Sequence, residues 1–292
     1  MQREMQDLIT QASRGDLESQ FKLGWSYRYG KGGFTQNIDV AYEWLGAAAK
    51  RNHHKAQRHF AFFFLDDGSG RTIKHDPKQA VIWLELAGDN GDSGALHDLI
   101  NVLTFEFPEE RRSTFGSKII ECYTKLANIH NDPIAKVELG AIYCGSPYNR
   151  YRRNFSEIAS SVVNAKIGFP MIEDGVRVAK NADKIPFEHK QYEEMFYAYN
   201  FDTVKMLESK EYYHQGAWIV TAFEKSFEYS RMVVETVKNE IPMYGSEYVE
   251  NTVSHWNKTS DFEEQRLQKI LELQKSKVSS RLLVEEIIKL LS

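Results

Sequence analysis

Apolar positions in the first half of the chain recur at helical rather than strand spacing. Over residues 17–29 the stripe Gln20, Leu23, Gly24 and Tyr27 follows the 3.6-residue period, and over residues 39–50 Ala41, Trp44, Leu45 and Ala48 do the same. Between the two runs stands "GKGG", residues 30–33. Glycine reaches the positive φ that a helix end and a tight turn require, so Gly30, Gly32 and Gly33 read as the stop of one helix and the turn into the next. "GSG" at 68–70 is expected to do the same job one unit later. The pattern predicts helical hairpins.

The hairpins repeat. Segments opening at Gly15, Asn52, Gly91 and Asn131 align at steps of 37, 39 and 40 residues. Four positions into each stands a small residue (Ser19, Ala56, Ala95, Ala135), and eight positions in stands a large apolar one (Leu23, Phe60, Leu99, Leu139). A second strip places Ala41 and Trp44 against Ala80 and Trp83, 39 residues apart. A fixed period of this length marks a repeat architecture.

A small residue, Leu-Gly, Tyr, Gly-x-Gly, then Asp, Ala, Trp-Leu and Ala-Ala resembles the Sel-one-like repeat, a hairpin related to the tetratricopeptide repeat. The resemblance runs through residues 15–51 and 52–90. It loses the glycine turn in 91–130, where "FPEERRSTFGSK" intervenes. From 131 to about 167 it keeps Leu139, Gly140, Tyr143 and Gly145 without the Trp-Leu pair. "GFPMIEDGVRVAKNA" is too degenerate to count as a fifth unit. The resemblance implies an all-α, right-handed α-solenoid of about four hairpins over residues 1–180.

Beyond residue 181 the repeat signal ends but helical patterning continues. Residues 216–240 carry Val220, Phe223, Phe227, Val234 and Val237 on one face, and Pro242 bars continuation. Residues 246–256 read as a short helix, and Ser260 with Glu263 as a capping box opening a further one. Leu283, Ile287, Leu290 and Leu291 form an apolar strip. A solenoid needs its terminal apolar face covered, so 181–292 is expected to be a C-terminal helical cap. A separate domain held by the repeats is the alternative, and a homo-oligomer contact through 283–291 a further one.

Composition narrows the function. Aromatic content of 13% argues for an ordered core. Net charge is −4, too small to imply a nucleic-acid or membrane partner. The acidity lies C-terminally, since residues 181–292 hold 19 acidic and 14 basic side chains. No run of about 18 apolar residues occurs, and "MQREMQDLITQASRG" lacks the apolar core of a secretory signal. A cytoplasmic location is the expectation. Cys122 and Cys144 are the two cysteines, without a CxxC pair, and read as core residues.

Candidate chemistry is sparse. Five residues separate Gly24 from Gly30, and Gly32 follows Lys31, so no phosphate-binding loop is spelled. His54 and His59 stand five apart, not at the four-residue spacing of a helical zinc pair, and the segment reads as a solvated turn. No metal, cofactor or catalytic set is expected; an enzyme within 181–292, around His189, Glu193 and His214, is the rival reading. "NRYRRNF" offers Arg150, Arg152 and Arg153 between aromatics, a candidate contact for an acidic protein surface.

The first helices of the hairpins, here called A helices, leave one set of positions unused by the repeat's own packing. These are Glu18, Lys22, Trp25 and Tyr29; then Lys55, His59, Phe62 and Asp66; then Gly94, Asp98, Asn101 and Phe105. The resemblance implies that A helices line a concave surface. Lys22, Trp25, Tyr29, His59, Phe62, Asp66, Asp98, Asn101 and Phe105 are therefore the candidate partner-binding residues, aromatic with charged flanks as binding hot spots are. The function implied is a non-catalytic module for one dedicated protein partner: an adaptor or scaffold, or a bacterial immunity protein that occludes a toxin.

Overall fold

The structure is a computed structural model that describes residues 2–66, 70–107, 113–144, 165–181, 192, 195, 198–199, 216–239, 246–275 and 280–291. The described residues are helical, with no strand among them. In chain order the helices are α1 (Gln2–Ser13), α2 (Leu17–Tyr29), α3 (Ile38–Ala49), α4 (His54–Ala61), α5 (Pro77–Asp89), α6 (Ser93–Phe105), α7 (Gly116–Asn128), α8 (Pro133–Cys144), α9 (Ala165–Asn181), α10 (Gly216–Lys238), α11 (Ser246–Lys275) and α12 (Ser280–Leu291).

The period of the sequence is the period of one backbone joint. Gly15, Asn52, Gly91 and Asn131 all lie in the left-handed region, at φ 92°, 64°, 93° and 53°. The next residue at each step caps the helix that follows. Asp16 Oδ1 accepts from Ser19 N at 2.7 Å, His53 Nδ1 from Ala56 N at 3.1 Å, Asp92 Oδ1 from Ala95 N at 3.0 Å and Asp132 Oδ1 from Ala135 N at 2.7 Å. The small residue four positions in is thus the third helical residue, whose amide the cap satisfies. It is buried in all four units, as is the large apolar residue four positions later. Gln20 and Gln57 also reach back at 3.2 Å to the carbonyls of Ala12 and Ala49, near the end of the preceding helix. In the third unit Leu96 replaces that glutamine and packs where Gly88 has no side chain.

Within a hairpin the glycines permit close approach. A Cβ on Gly24 would lie 2.7 Å from Leu45 Cγ and 2.9 Å from Leu45 N on α3. Gly30 ends α2 in the left-handed conformation at φ 62°, with Gly32 and Gly33 also at positive φ. Gly68 and Ser69 of "GSG" lie outside the described residues, and Gly70 has φ 70°. The second A helix is shorter than the first, because α4 tightens into a 3-10 turn at Phe62–Phe64, where Phe63 and Phe64 turn into the core.

The chain divides into two compact units, Met1–Cys122 and Tyr123–Ser292. The repeat signal fades near 180, whereas contact density divides the chain within α7. In the first unit α1 to α6 form a solenoid run, each helix packed on the next.

In the second unit α8 packs on α9 with backbones nearly touching. Cβ atoms on Gly140 and Gly168 would lie 2.7 Å and 2.6 Å from each other's carbonyl oxygens. The partner of the fourth A helix is therefore α9, which contains the segment read as too degenerate for a repeat. Lys136 and Arg177 both pair with Asp174 here, and these bonds hold its carboxyl below the usual range.

Two expectations for the C-terminal part are corrected. The short helix at 246–256 and the capped one after Ser260 are a single helix, α11. No glycine or proline interrupts it, and Ser260 and Glu263 are buried in its middle. There Ser260 Oγ receives the Ser230 hydroxyl at 3.2 Å and Glu263 binds Arg266 at 3.0 Å, so neither caps an end. Of the strip on α12, the described side chains Leu283 and Ile287 are not open to a second copy. Leu283 and Ile287 are buried with Val220, Phe223, Leu267 and Ile270.

Gly24→Ala tests the hairpin geometry. The added methyl group meets main chain at Leu45, so the substitution is expected to lower unfolding free energy by about 1–3 kcal/mol. Urea unfolding followed by circular dichroism reads it, and an unchanged midpoint would remove the close-approach account.

Candidate functional site

The candidate residues of the first two A helices meet along one line of rings. α2 presents Trp25 and Tyr29 one turn apart, with centroids 5.2 Å apart. Tyr29 meets the His59 ring of α4 edge-on at 6.2 Å, and His59 meets Phe62 at 6.0 Å. Trp25 is 36% exposed, whereas Tyr29, His59 and Phe62 are half-buried. The row is neither absorbed into the core nor left as scattered surface rings.

Its supports carry no signal of their own in the repeat pattern. Phe21 stacks on His53 at 5.1 Å and lies 5.6 Å from His59, closing one side. Arg28, 2% exposed, places its guanidinium 4.3 Å from the Phe63 ring centroid and donates from Nη2 to Phe62 O at 3.3 Å. Arg71 lies 5.2 Å over Tyr29. Arg28 is a buried cation that sequence pattern does not explain, and the turn after α4 supplies the Phe63 ring and the Phe62 carbonyl beside it.

The charged flanks are ordered by pairing. Lys22 is exposed and pairs with Glu18 at 3.4 Å. Asp98 on α6 receives Arg58 Nε of α4 at 2.6 Å, and Gly94 leaves the room in which that guanidinium lies. Asp66 and Asn101 are exposed, and Phe105 is 59% exposed further along α6. Arg150, Arg152 and Arg153 lie outside the described residues, as do His189, Glu193 and His214.

The histidine segment is the inter-repeat turn but only in part a solvated one: Asn52 and Lys55 are exposed, while neighbours cover most of His53 and His59. His53 is the cap between the first two repeats, and its Nε2 lies 3.1 Å from Glu18 Oε2. His59 Nδ1 is shut off from water and has no hydrogen-bond partner among the described residues. Burial pushes its pKa down to about 4, with the nearby Arg58 and Arg28 adding to the fall. The row is thus uncharged at neutral pH.

A cleft of about 390 Å³ opens on the second unit between α9 and α10, lined by Glu173, Val176, Arg177, Asn181, Lys225 and Tyr229. Its cations are paired, Arg177 with Asp174 and Lys225 with Glu228. The buried phenols beside it are held neutral: burial pushes Tyr192 up to about 12 and raises Tyr199 and Tyr229 further. Among the described residues no three His, Cys, Asp or Glu side chains converge as a metal would need. None of their helices is long and apolar enough to cross a membrane.

His59 sets a pH dependence whose sign follows from its lowered pKa. The unfolded chain takes up a proton near pH 6.5 while the folded chain holds His59 neutral to about 4, so stability present above 6.5 is lost as pH falls through that window. His59→Phe is expected to remove on the order of 2 kcal/mol of this dependence. It is read as the difference between variant and wild-type urea midpoints from pH 7.5 to 4.5, and parallel curves would refute the assignment.

Comparison with known proteins matches part of the chain to a repeat family. The Sel1 repeat model matches residues 17–53 and 54–92. Comparison with curated proteins gave no match. Among solved structures, a Sel1 repeat protein from Oxalobacter formigenes is 20% identical with a TM-score of 0.44, over 65% of this chain and 69% of that one. The structure of c5321, a protective antigen present in uropathogenic Escherichia coli strains displaying an SLR fold, is 16% identical with a TM-score of 0.44. That alignment covers 98% of this chain and 58% of the other. Sel1 repeats generally mediate protein–protein interaction. The matched stretches and the joint recurring at Asn52 and Gly91 agree in register, and residues 17–92 of this chain are two consecutive Sel1 repeats.

Proposed function

We propose that the protein is a non-catalytic binding module that holds one dedicated protein partner on the face formed by its A helices. The observation that carries this reading is the row Trp25, Tyr29, His59 and Phe62, joined ring to ring across two repeats while Trp25 stays open to solvent. Large amphipathic rings held by packing lose little conformational freedom when a partner docks, which is why such positions dominate binding energy. Phe105, Asn101 and Asp98 extend the same face along α6, with Lys22 and Asp66 as its charged rim. Arg150, Arg152 and Arg153 supply a further contact to an acidic patch of the partner.

Two forms of the module follow from this face: an adaptor that holds its partner in an assembly, and an immunity-type protein that neutralises a toxin by covering it. Either form would act in the cytoplasm. Residues 181–292 then serve as a helical cap of the solenoid rather than as an enzyme.

The test is photocrosslinking in the native host, with a photoreactive phenylalanine analogue at position 25 or 62 and, as control, at the exposed Ile82 of α5. One stoichiometric adduct is expected from the first two positions and none from Ile82. Trp25→Ala combined with Phe62→Ala is expected to weaken capture of that partner by a hundred-fold or more, from about 2 kcal/mol per truncated ring, with unchanged helicity. Adducts at Ile82 alone, or equal capture by the double variant, would overturn the reading.

A further inference from the structure

We propose that the joint between the first two repeats is a proton-operated cap, in which protonation of His53 releases the N-terminus of α4 while the three joints capped by aspartate stay closed. The cap position is Asp16, Asp92 and Asp132 in the other units and His53 here. A carboxylate accepts the amide bond throughout the neutral and mildly acidic range. An imidazole accepts it only through an unprotonated nitrogen.

The tautomer of His53 follows from its partners. Ala56 N–H can only donate, so Nδ1 at 3.1 Å must carry the lone pair. Nε2 therefore bears the proton and donates to Glu18 Oε2 at 3.1 Å. A second proton has one place to go, Nδ1, where it faces the Ala56 N–H donor to donor. The cation and the cap are mutually exclusive.

Charged groups surround the ring. Glu18 on α2 faces Nε2 directly, and Asp16 at the start of α2 lies within electrostatic reach of the ring. Lys22 pairs with Glu18 and offsets part of this attraction. Against the cation stand the positive end of α4 itself and His54, whose ring stacks on His53 at 5.9 Å and whose Nδ1 lies 3.2 Å from Asp92 Oδ2 of α6. Free imidazole changes charge between pH 5 and 8, which sets the range over which the cap is tested. Phe21 stacks on the same ring, which ties movement of His53 to the packing of α2 on α4.

Hydrogen exchange of the full-length protein, with rates normalised for intrinsic chemistry, tests this from pH 7.5 to 5.5. The Ala56 amide is expected to lose about five-fold or more in protection, the loss of one helix cap, while Ser19 and Ala135 hold theirs. His53→Asp should keep Ala56 protected throughout, and Glu18→Gln should move the transition to lower pH. If Ala56 follows Ser19 and Ala135, or if His53→Asp still loses protection, the proposal falls. An unmoved transition in Glu18→Gln would equally refute it, since the cation would then not be held by Glu18.

Discussion

Everything in the repeats hangs on the turn from one hairpin to the next, where one residue takes a left-handed backbone and its neighbour caps the new helix. A helix cannot continue through positive φ, and the new helix needs an acceptor for its first free amides. Glycine or asparagine followed by a side-chain acceptor, aspartate in three joints and histidine in one, meets both needs in two residues. Because these demands recur at Gly15, Asn52, Gly91 and Asn131, the helices between them are phased alike, and buried positions repeat at equal offsets. The joint also explains α1. Its end forms the first such turn, with Gly15 N bonded to Ala12 O, so α1 meets α2 through the same joint that α3 and α5 make with the helices after them.

Phase alone does not fix how tightly the two helices of a hairpin pack. That is decided by missing side chains: Gly24 against Leu45 in the first unit, and Gly140 against Gly168 and Ile172 in the fourth. In the second and third units Ala61 and Ile100 occupy the same offset and are buried instead. Spacing thus differs from unit to unit while the joint does not. The contact chemistry of the row depends on this, because Trp25 follows Gly24 directly and is turned outward by the face that Gly24 commits to α3.

The row itself is a compromise between solubility and burial. A string of exposed rings invites non-specific association, and here the rings are partly enclosed by Phe21, by Arg28 over Phe63 and by Arg71 over Tyr29. His59 remains uncharged in that enclosure because burial and two arginines oppose its proton. Arg58 is itself paired with Asp98. The result is a neutral aromatic strip framed by paired ions, suited to a partner surface that is apolar at its centre and polar at its edge.

The sequence by itself determined the joints, the helical hairpins and the offsets of the buried residues. These are set by short-range rules: backbone freedom at glycine, capping by a side-chain acceptor, and the 3.6-residue period. It also singled out Trp25, Tyr29, His59 and Phe62 as one set, of which Trp25 is exposed and the other three are half-buried. Tertiary structure alone decided what depends on residues far apart in the chain. The degenerate segment after residue 165 became the partner of α8, because Gly168 and Gly175 fit a backbone that local pattern does not reveal. A sequence that spells a helix cap at Ser260 is overruled once Ser230 and Arg266 satisfy its polar groups mid-helix. His53 and His59, alike as residues and six apart, became a cap and a buried neutral ring. A side chain's charge and its accepting nitrogen are set by the groups that other helices bring to it.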